Sequence, residues 1–315
     1  MSRRKAYIWT GGIGILILMT AADLMCGGEA GAQVLLHLRT PRVLTALLAG
    51  ASLALAGGQM QSVLRNPLAD PHIMGVSAGA ALGAALATML GSHALQGIFH
   101  GITIAAAAFA GALGAAAVIL LASRRFRTAS SLLIFGVMLG FIVNALVAIL
   151  QFSSDAESLK MFYSWSAGSF SNSGWNETGI MAVTLAIGLT LAKRNSKGLD
   201  IILFGDEFAV LSGARPQRIR ASALMSCCVI TGTVTAFCGP IGFVGIAAPH
   251  IARTMWKTSA HKSTIPGSFL CGSTIGIAAD LFSQITSTPI PISSTMALAG
   301  IPIILYILIK GPEYR

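Results

Sequence analysis

The sequence predicts an all-α, polytopic membrane protein of about ten transmembrane helices, and three observations support that reading. Of its 315 residues 54% are hydrophobic and only 10% are charged, against about 25% charged in an ordinary soluble domain. The apolar surplus recurs as runs of about 17–25 residues, the length that crosses a hydrocarbon layer of about 30 Å as helix. Between the runs, basic residues gather in short clusters on alternate connections. The whole chain, 1–315, reads as one transmembrane domain with a cytoplasmic segment at 193–220.

The first run extends from Ala6 to Cys26 behind Ser2-Arg3-Arg4-Lys5. A basic flank and the Ala30-Gly31-Ala32 triplet are features of cleaved signals. This run is longer than a signal h-region and has no early break, so it is read as a membrane helix. Further runs lie at 43–64, 73–91, 98–122, 130–152, 175–192, 219–237, 241–256, 265–285 and 294–310. The stretch RNPLADPHIMGVSAGAALGA ends the second run and opens the third. Pro67 and Pro71 break the helix there, after Asn66, and Asp70 can satisfy backbone donors freed in the turn. The eighth run, IGFVGIAAPHIARTMW, is short and carries Pro249 beside His250. A broken or partly buried helix is expected, because such breaks need protein or a water-lined cavity to satisfy the freed backbone.

Ten runs with a basic N-terminus inside put both ends in the cytoplasm. The predicted cytoplasmic segments then collect 18 of the 21 Lys and Arg residues, including Arg124, Arg125 and Arg127, the cluster from Lys193 to Arg220, and Arg253, Lys257 and Lys262. Only Arg39, Arg42 and Lys160 fall outside. That asymmetry is the one the positive-inside rule requires. The net charge of +10 is therefore read as topology control and attraction to anionic lipid, and no nucleic-acid partner is expected.

Gly75, Gly79 and Gly83 form two consecutive GxxxG steps, and Gly272 and Gly276 form another. Small residues at this spacing let helices approach closely in lipid. Runs two and seven both end in Gly-rich, Pro-broken stretches, the second at Gly239-Pro240-Ile241-Gly242. They run in opposite directions, so an inverted repeat of spans 2–5 and 7–10 is expected. In the long cytoplasmic connection a short helix is expected from Asp206 to Leu211, between Gly205 and Gly213.

Little in the chain argues for catalysis. It has no GxxxxGK[ST] for nucleotide phosphates and no HExxH, and no pair of intramembrane carboxylates is apparent. The six histidines show no metal-ligand spacing, and the five cysteines read as small buried hydrophobes. No cofactor or metal is expected. An ionisable residue inside a span is costly and hence a functional candidate. Asp280 in IAADLFSQ is the clearest, facing either a water-filled path or a neighbouring helix. Asp23, near the outer end of the first run, can reach the interface and is less informative.

Three stretches resemble a known family. PRVLTALLAGASLALAGGQMQSVLRNPLADPHIMGVSAGAALGA looks like the second and third spans of the FecCD-type permeases. LDIILFGDEFAVLSGARPQRIR is similar to their cytoplasmic coupling segment, and GPIGFVGIAAPHIAR with AADLFSQ matches their C-terminal signature. The resemblance implies the membrane subunit of an ABC importer in a bacterial inner membrane, carrying an iron–siderophore or similar metal chelate, with haem or cobalamin as the alternative. It further implies a homodimer, two separate ATPase subunits on the cytoplasmic face and a periplasmic or lipid-anchored substrate-binding protein outside. Gly205, Asp206, Glu207, Ala209, Leu211 and Gly213 would then meet the ATPase, and Arg39 and Arg42 would dock the binding protein. The family form after Asp280 is D-x-x-x-R followed by E-L-P-x-G. Here Gln284 replaces the Arg, Pro289 the Glu and Ser293 the Gly.

Overall fold

A computed structural model describes residues 3–26, 31–90, 104–126, 128–285 and 289–310. The start of the fourth run at 98–103, and Ser2, Ala30, His93, His100, Arg127, Thr288 and Arg315, lie outside the described residues. The described helices are α1 (Arg3–Met25), α2 (Ala32–Leu64), α3 (Val76–Leu90), α4 (Ile104–Arg125), α5 (Ala129–Phe152), α6 (Ala156–Ser166), α7 (Trp175–Ile202), α8 (Asp206–Leu211), α9 (Pro216–Cys238), α10 (Val244–Trp256), α11 (His261–Ser283) and α12 (Ile292–Lys310). Ten of these occupy the ten predicted runs, and six are long and apolar enough by length and composition to cross a membrane.

The differences from expectation have local causes. α2 has 33 residues, about 50 Å at 1.5 Å per residue. It starts upstream of the predicted span through a π-turn at Leu35–Arg39, so Arg39 and Arg42 lie on helix and not in a loop. α7 continues to Ile202, ten residues past the predicted run, and carries Lys193 to Asp200 out of the apolar layer. α6 was not predicted as a helix. It is too short to span, and its start is set by the Asp155 carboxylate, which accepts from the Ser158 backbone N–H at 2.8 Å. That donation holds the Asp155 carboxyl below its usual range.

The packing has the reciprocity of an inverted repeat. The first helix of each half lies along the third helix of the other, α2 on α11 and α9 on α4. Within each half the short second helix packs on the third, α3 on α4 and α10 on α11. α7 lies against both α2 and α9. The close crossings are made of glycine backbone: Gly50 meets Gly272 and Gly276, Gly79 and Gly83 meet Gly111 and Ala107, and Gly57 meets Gly245. Gly75 makes its close approach to Gly136 and Gly140 of α5 instead of to α4. It is the left-handed residue (φ 85°) that joins a 3₁₀ turn, Pro71–Met74, to α3.

Both short helices start at depth within the bundle. Gly75 rests beside Gly136 and Gly140, within the span of the 24-residue α5. Gly245 rests beside Leu53, Gly57, Asp70 and Pro71. The irregular stretch between α2 and α3 therefore meets the start of α10 inside the bundle. Its backbone is satisfied from within: Asn66 Oδ1 accepts from Leu68 N at 3.0 Å and Asp70 Oδ1 from His72 N at 2.9 Å.

α10 is partly buried, as expected, but continuous through Pro249. A proline cannot donate to the carbonyl four residues back, here Gly245. The Gln61 side-chain amide on α2 donates to that carbonyl at 3.0 Å instead, while its Oε1 accepts from Arg253. The hydrogen-bond donor that Pro249 removes is thus replaced by a side chain from a neighbouring helix.

A β-carbon on Gly272 would stand 2.5 Å from Ala54 Cβ and 2.9 Å from the Gly50 carbonyl carbon, whereas one on Gly114 meets nothing within 4 Å. Gly272→Ala is expected to cost about 1–3 kcal/mol, the range for overpacking, and to lower the melting temperature of the detergent-solubilised protein. Gly114→Ala is expected to leave it unchanged, and thermal unfolding of the two variants checks the contrast.

Candidate functional site

Among the described residues, three clusters of polar side chains bear on function. The first, at the outer ends of α1, α2 and α11, is a buried charge cluster. Arg42 binds Asp280 through Nε at 2.9 Å and Nη2 at 2.8 Å, and Asp280 is fully buried. This settles the alternative in favour of a neighbouring helix: Asp280 bonds α2. Gln284 donates to Asp23 Oδ1 at 2.7 Å and to Asp280 Oδ2 at 3.3 Å. Asp23 is only 3% exposed, so it does not reach the interface as expected. Two intramembrane carboxylates are paired after all, from α1 and α11, around one amide and one guanidinium. Neither run alone shows that pairing. Arg39 donates to the Leu24 carbonyl at 3.1 Å, a second tie between α2 and α1.

The second place is a cavity of about 370 Å³ lined in part by His72, Ser77, Phe141, Asn144, Trp165 and Pro240. His72 Nδ1 and Ser77 Oγ are hydrogen-bonded, and Ser77 Oγ also lies 3.4 Å from Thr235 Oγ1. Trp165 donates its indole N–H to Ala236 O at 3.2 Å, which fixes α6 against the end of α9. Asn144 is an exposed amide within an otherwise apolar stretch of α5. Gly75-Val76-Ser77-Ala78-Gly79 also fits the outline of the hydrolase GxSxG elbow. That motif needs a strand before the serine, and here a 3₁₀ turn precedes Ser77 within an α-helix. His72 Nε2 has no partner among the described residues, so no carboxylate orients the imidazole for base catalysis. His250 lies elsewhere on α10, where its carbonyl accepts from Thr254 Oγ1. Gly242 O accepts from Val244 N at 2.9 Å and starts that helix.

The third place is on the face that the basic residues assign to the cytoplasm. α8 runs from Asp206 to Leu211, as expected, between Gly205 (φ 111°) and Gly213 (φ 76°). Ala209 is fully buried while Phe204, Phe208, Val210 and Leu211 are exposed, Leu211 to 87%. Glu207, Arg215 and Arg218 surround that apolar patch with exposed charge. Arg220, 5% exposed, holds both carboxylate oxygens of Asp206 through Nη2 at 2.6 and 2.7 Å. Arg65 of the irregular stretch lies beside Gly205, a proximity that sequence spacing did not indicate. On the same face Asp200 accepts from the His261 backbone N–H at 2.9 Å and the His261 ring contacts it at 2.6 Å, with Ser62 Oγ on the other ring nitrogen at 2.7 Å. Burial pushes the Asp200 carboxyl up, but the His261 hydrogen bonds outweigh it and hold the group below its usual range. Among the described residues no group of three or more His, Cys, Asp or Glu could hold a metal ion.

Comparison with known proteins agrees with this geometry. The uncharacterised ABC transporter permease protein YvrB of Bacillus subtilis is 33% identical over 295 residues, 90% of this chain and 82% of its own length. The vitamin B12 import system permease protein BtuC of Citrobacter koseri is 30% identical, covering 98% of this chain and 96% of its own. A solved structure described as an inward-facing conformation of a metal-chelate type ABC transporter superposes with a TM-score of 0.87 at 30% identity, over 97% of this chain and all of that one. The family model of the FecCD transport family matches residues 8–310. The helical fold is thus shared with an ABC permease along nearly the whole chain, and the chain belongs to the FecCD transport family, as a membrane permease subunit of an ABC importer.

Proposed function

We propose that this permease carries an iron–siderophore or similar metal chelate across the inner membrane, as one half of a homodimer driven by two ATPase subunits and fed by a substrate-binding protein. The observation that carries the reading is α8. An apolar patch of Phe204, Phe208, Val210 and Leu211, exposed outside the spanning segments and flanked by charge, is the signature of a protein contact. The chain has no phosphate-binding loop of its own, so the energy source is a partner at that contact. ATP-driven closure of the ATPases would press on α8 and rock the bundle between outward- and inward-facing states.

Support for a chelate comes from the metal-chelate type transporter that shares the fold. Cobalamin is the second reading, favoured by the BtuC relative, whose length is matched almost throughout. The cavity beside His72, Asn144 and Trp165 offers hydrogen-bonding groups and aromatic walls, which suits the organic periphery of either ligand. Arg39 and Arg42 are proposed to face the binding protein. Because Arg42 also neutralises buried Asp280, replacing it tests folding as well as docking.

Four outcomes are expected. With the ATPases and binding protein reconstituted in liposomes, radiolabelled ferric chelate or cobalamin accumulates only with ATP, whereas uptake driven by an ion gradient without ATP defeats the reading. Leu211→Asp with Phe208→Asp reduces co-purification of the ATPase subunits at least tenfold while the permease still folds. Arg39→Glu weakens binding-protein association about tenfold in a pull-down. Arg42→Ala instead destabilises the permease itself by about 3–5 kcal/mol, as expected when one partner of a buried ion pair is removed, and a lowered melting temperature reports it.

A further inference from the structure

Six residues of helix between two glycines in the left-handed region, Gly205 and Gly213, form a segment with a hinge at each end. Such a segment, if held only by its ends, would bend under load. A partner pressing on Leu211 would then swing α8 about its glycines and leave the spanning helices where they were.

Two contacts oppose that swing. The Ala209 methyl is buried in the bundle core, and Arg220 grips both oxygens of Asp206 at the first residue of α8. Arg220 belongs to α9, which is itself laced to its neighbours. Ser226 Oγ donates to Gly188 O of α7 at 3.1 Å and accepts from Gln59 of α2 at 3.0 Å. At its far end the same helix contacts Ser77 through Thr235 and the Trp165 indole through Ala236. One charged pair therefore joins the hinged cytoplasmic segment to a buried helix that reaches the wall of the His72 cavity.

We propose that Arg220 is the positioning residue of coupling: its grip on Asp206 makes α8 move as part of the bundle, so that force from an ATPase turns the spanning helices instead of bending α8. The inference rests on the reading of α8 as the ATPase contact. Arg220 itself is buried, 5% exposed, behind Asp206. A guanidinium suits the role because it stays charged when buried and is less strongly hydrated than an ammonium. Spatial continuity alone does not establish coupling, so the test measures rigidity and coupling separately.

The first arm is hydrogen–deuterium exchange of the purified permease, with neither ATPase nor substrate present. Arg220→Gln and Asp206→Asn should each speed exchange of the amides of residues 206–214 at least tenfold, with the spanning helices unchanged. The second arm assembles the importer and measures stimulation of ATP hydrolysis by the binding protein. Arg220→Gln, which lies outside the residues assigned to the ATPase contact, should retain ATPase co-purification at the wild-type ratio yet lose at least four-fifths of the stimulation. The exchanged pair, Asp206→Arg with Arg220→Asp, should recover protection in the exchange arm. Unchanged exchange, unchanged stimulation, loss of the ATPase subunits alongside stimulation, or failure of the exchanged pair to recover would overturn the proposal. Failure of the wild-type chain to bind any ATPase would instead sink the reading of α8, and the exchange arm would still report on the grip.

Discussion

Every backbone carbonyl and N–H inside a hydrocarbon layer needs a partner, and the rest of this structure is arranged around that constraint. A bundle of uninterrupted helices would meet it automatically. Among the described residues, this chain instead breaks its helices at depth between α2 and α3 and between α9 and α10. The broken stretches survive because buried side chains take over the missing bonds. Asp70 and Asn66 accept from their own turn, and Gln61 donates to the Gly245 carbonyl that Pro249 leaves open. The breaks in turn shorten α3 and α10, leaving Gly75 and Gly245 in contact with the flanks of long helices.

The same economy explains where polarity is spent. Most of the buried polar groups secure one helix to another: Arg42 to Asp280, Gln284 to Asp23, Thr45 to Thr178, Gln59 to Ser226. Helices in lipid gain little from apolar contact with one another, so small residues and hydrogen bonds carry the association. Two further sets of side chains mark the proposed working surfaces. His72, Asn144 and Trp165 line an intramembrane cavity, and α8 exposes apolar side chains outside the spans. In the proposed function the first faces the cargo and the second the motor.

Much of this was legible in the sequence because the governing signals are local. Run length and the basic asymmetry located the ten helical segments, and Gly205 and Gly213 bracketed α8 where it lies. What escaped is long-range. Asp23 looked like an interfacial carboxylate because nothing in the first run shows Gln284 approaching from α11. The continuity of α10 through Pro249 depends on an amide 188 positions upstream, at Gln61, which no local pattern reveals. α6 was missed because an 11-residue amphipathic helix is invisible to a search for spanning length. Gly75 fitted the GxxxG spacing yet serves a turn, since spacing does not report φ.

The central claim is that side chains replace the backbone hydrogen bonds broken at depth, and Gln61, the replacement that comes from a neighbouring helix, tests it most directly. In a double-mutant cycle followed by thermal unfolding in detergent, Gln61→Leu removes the donor to Gly245, and Pro249→Ala restores a backbone N–H at the same carbonyl. The account predicts that Gln61→Leu is destabilising by about 1–3 kcal/mol, the cost of an orphaned buried acceptor. It also predicts that Pro249→Ala recovers stability in the Gln61→Leu background but not in the wild type, a coupling of about 1–2 kcal/mol. Additive effects of the two substitutions would contradict it.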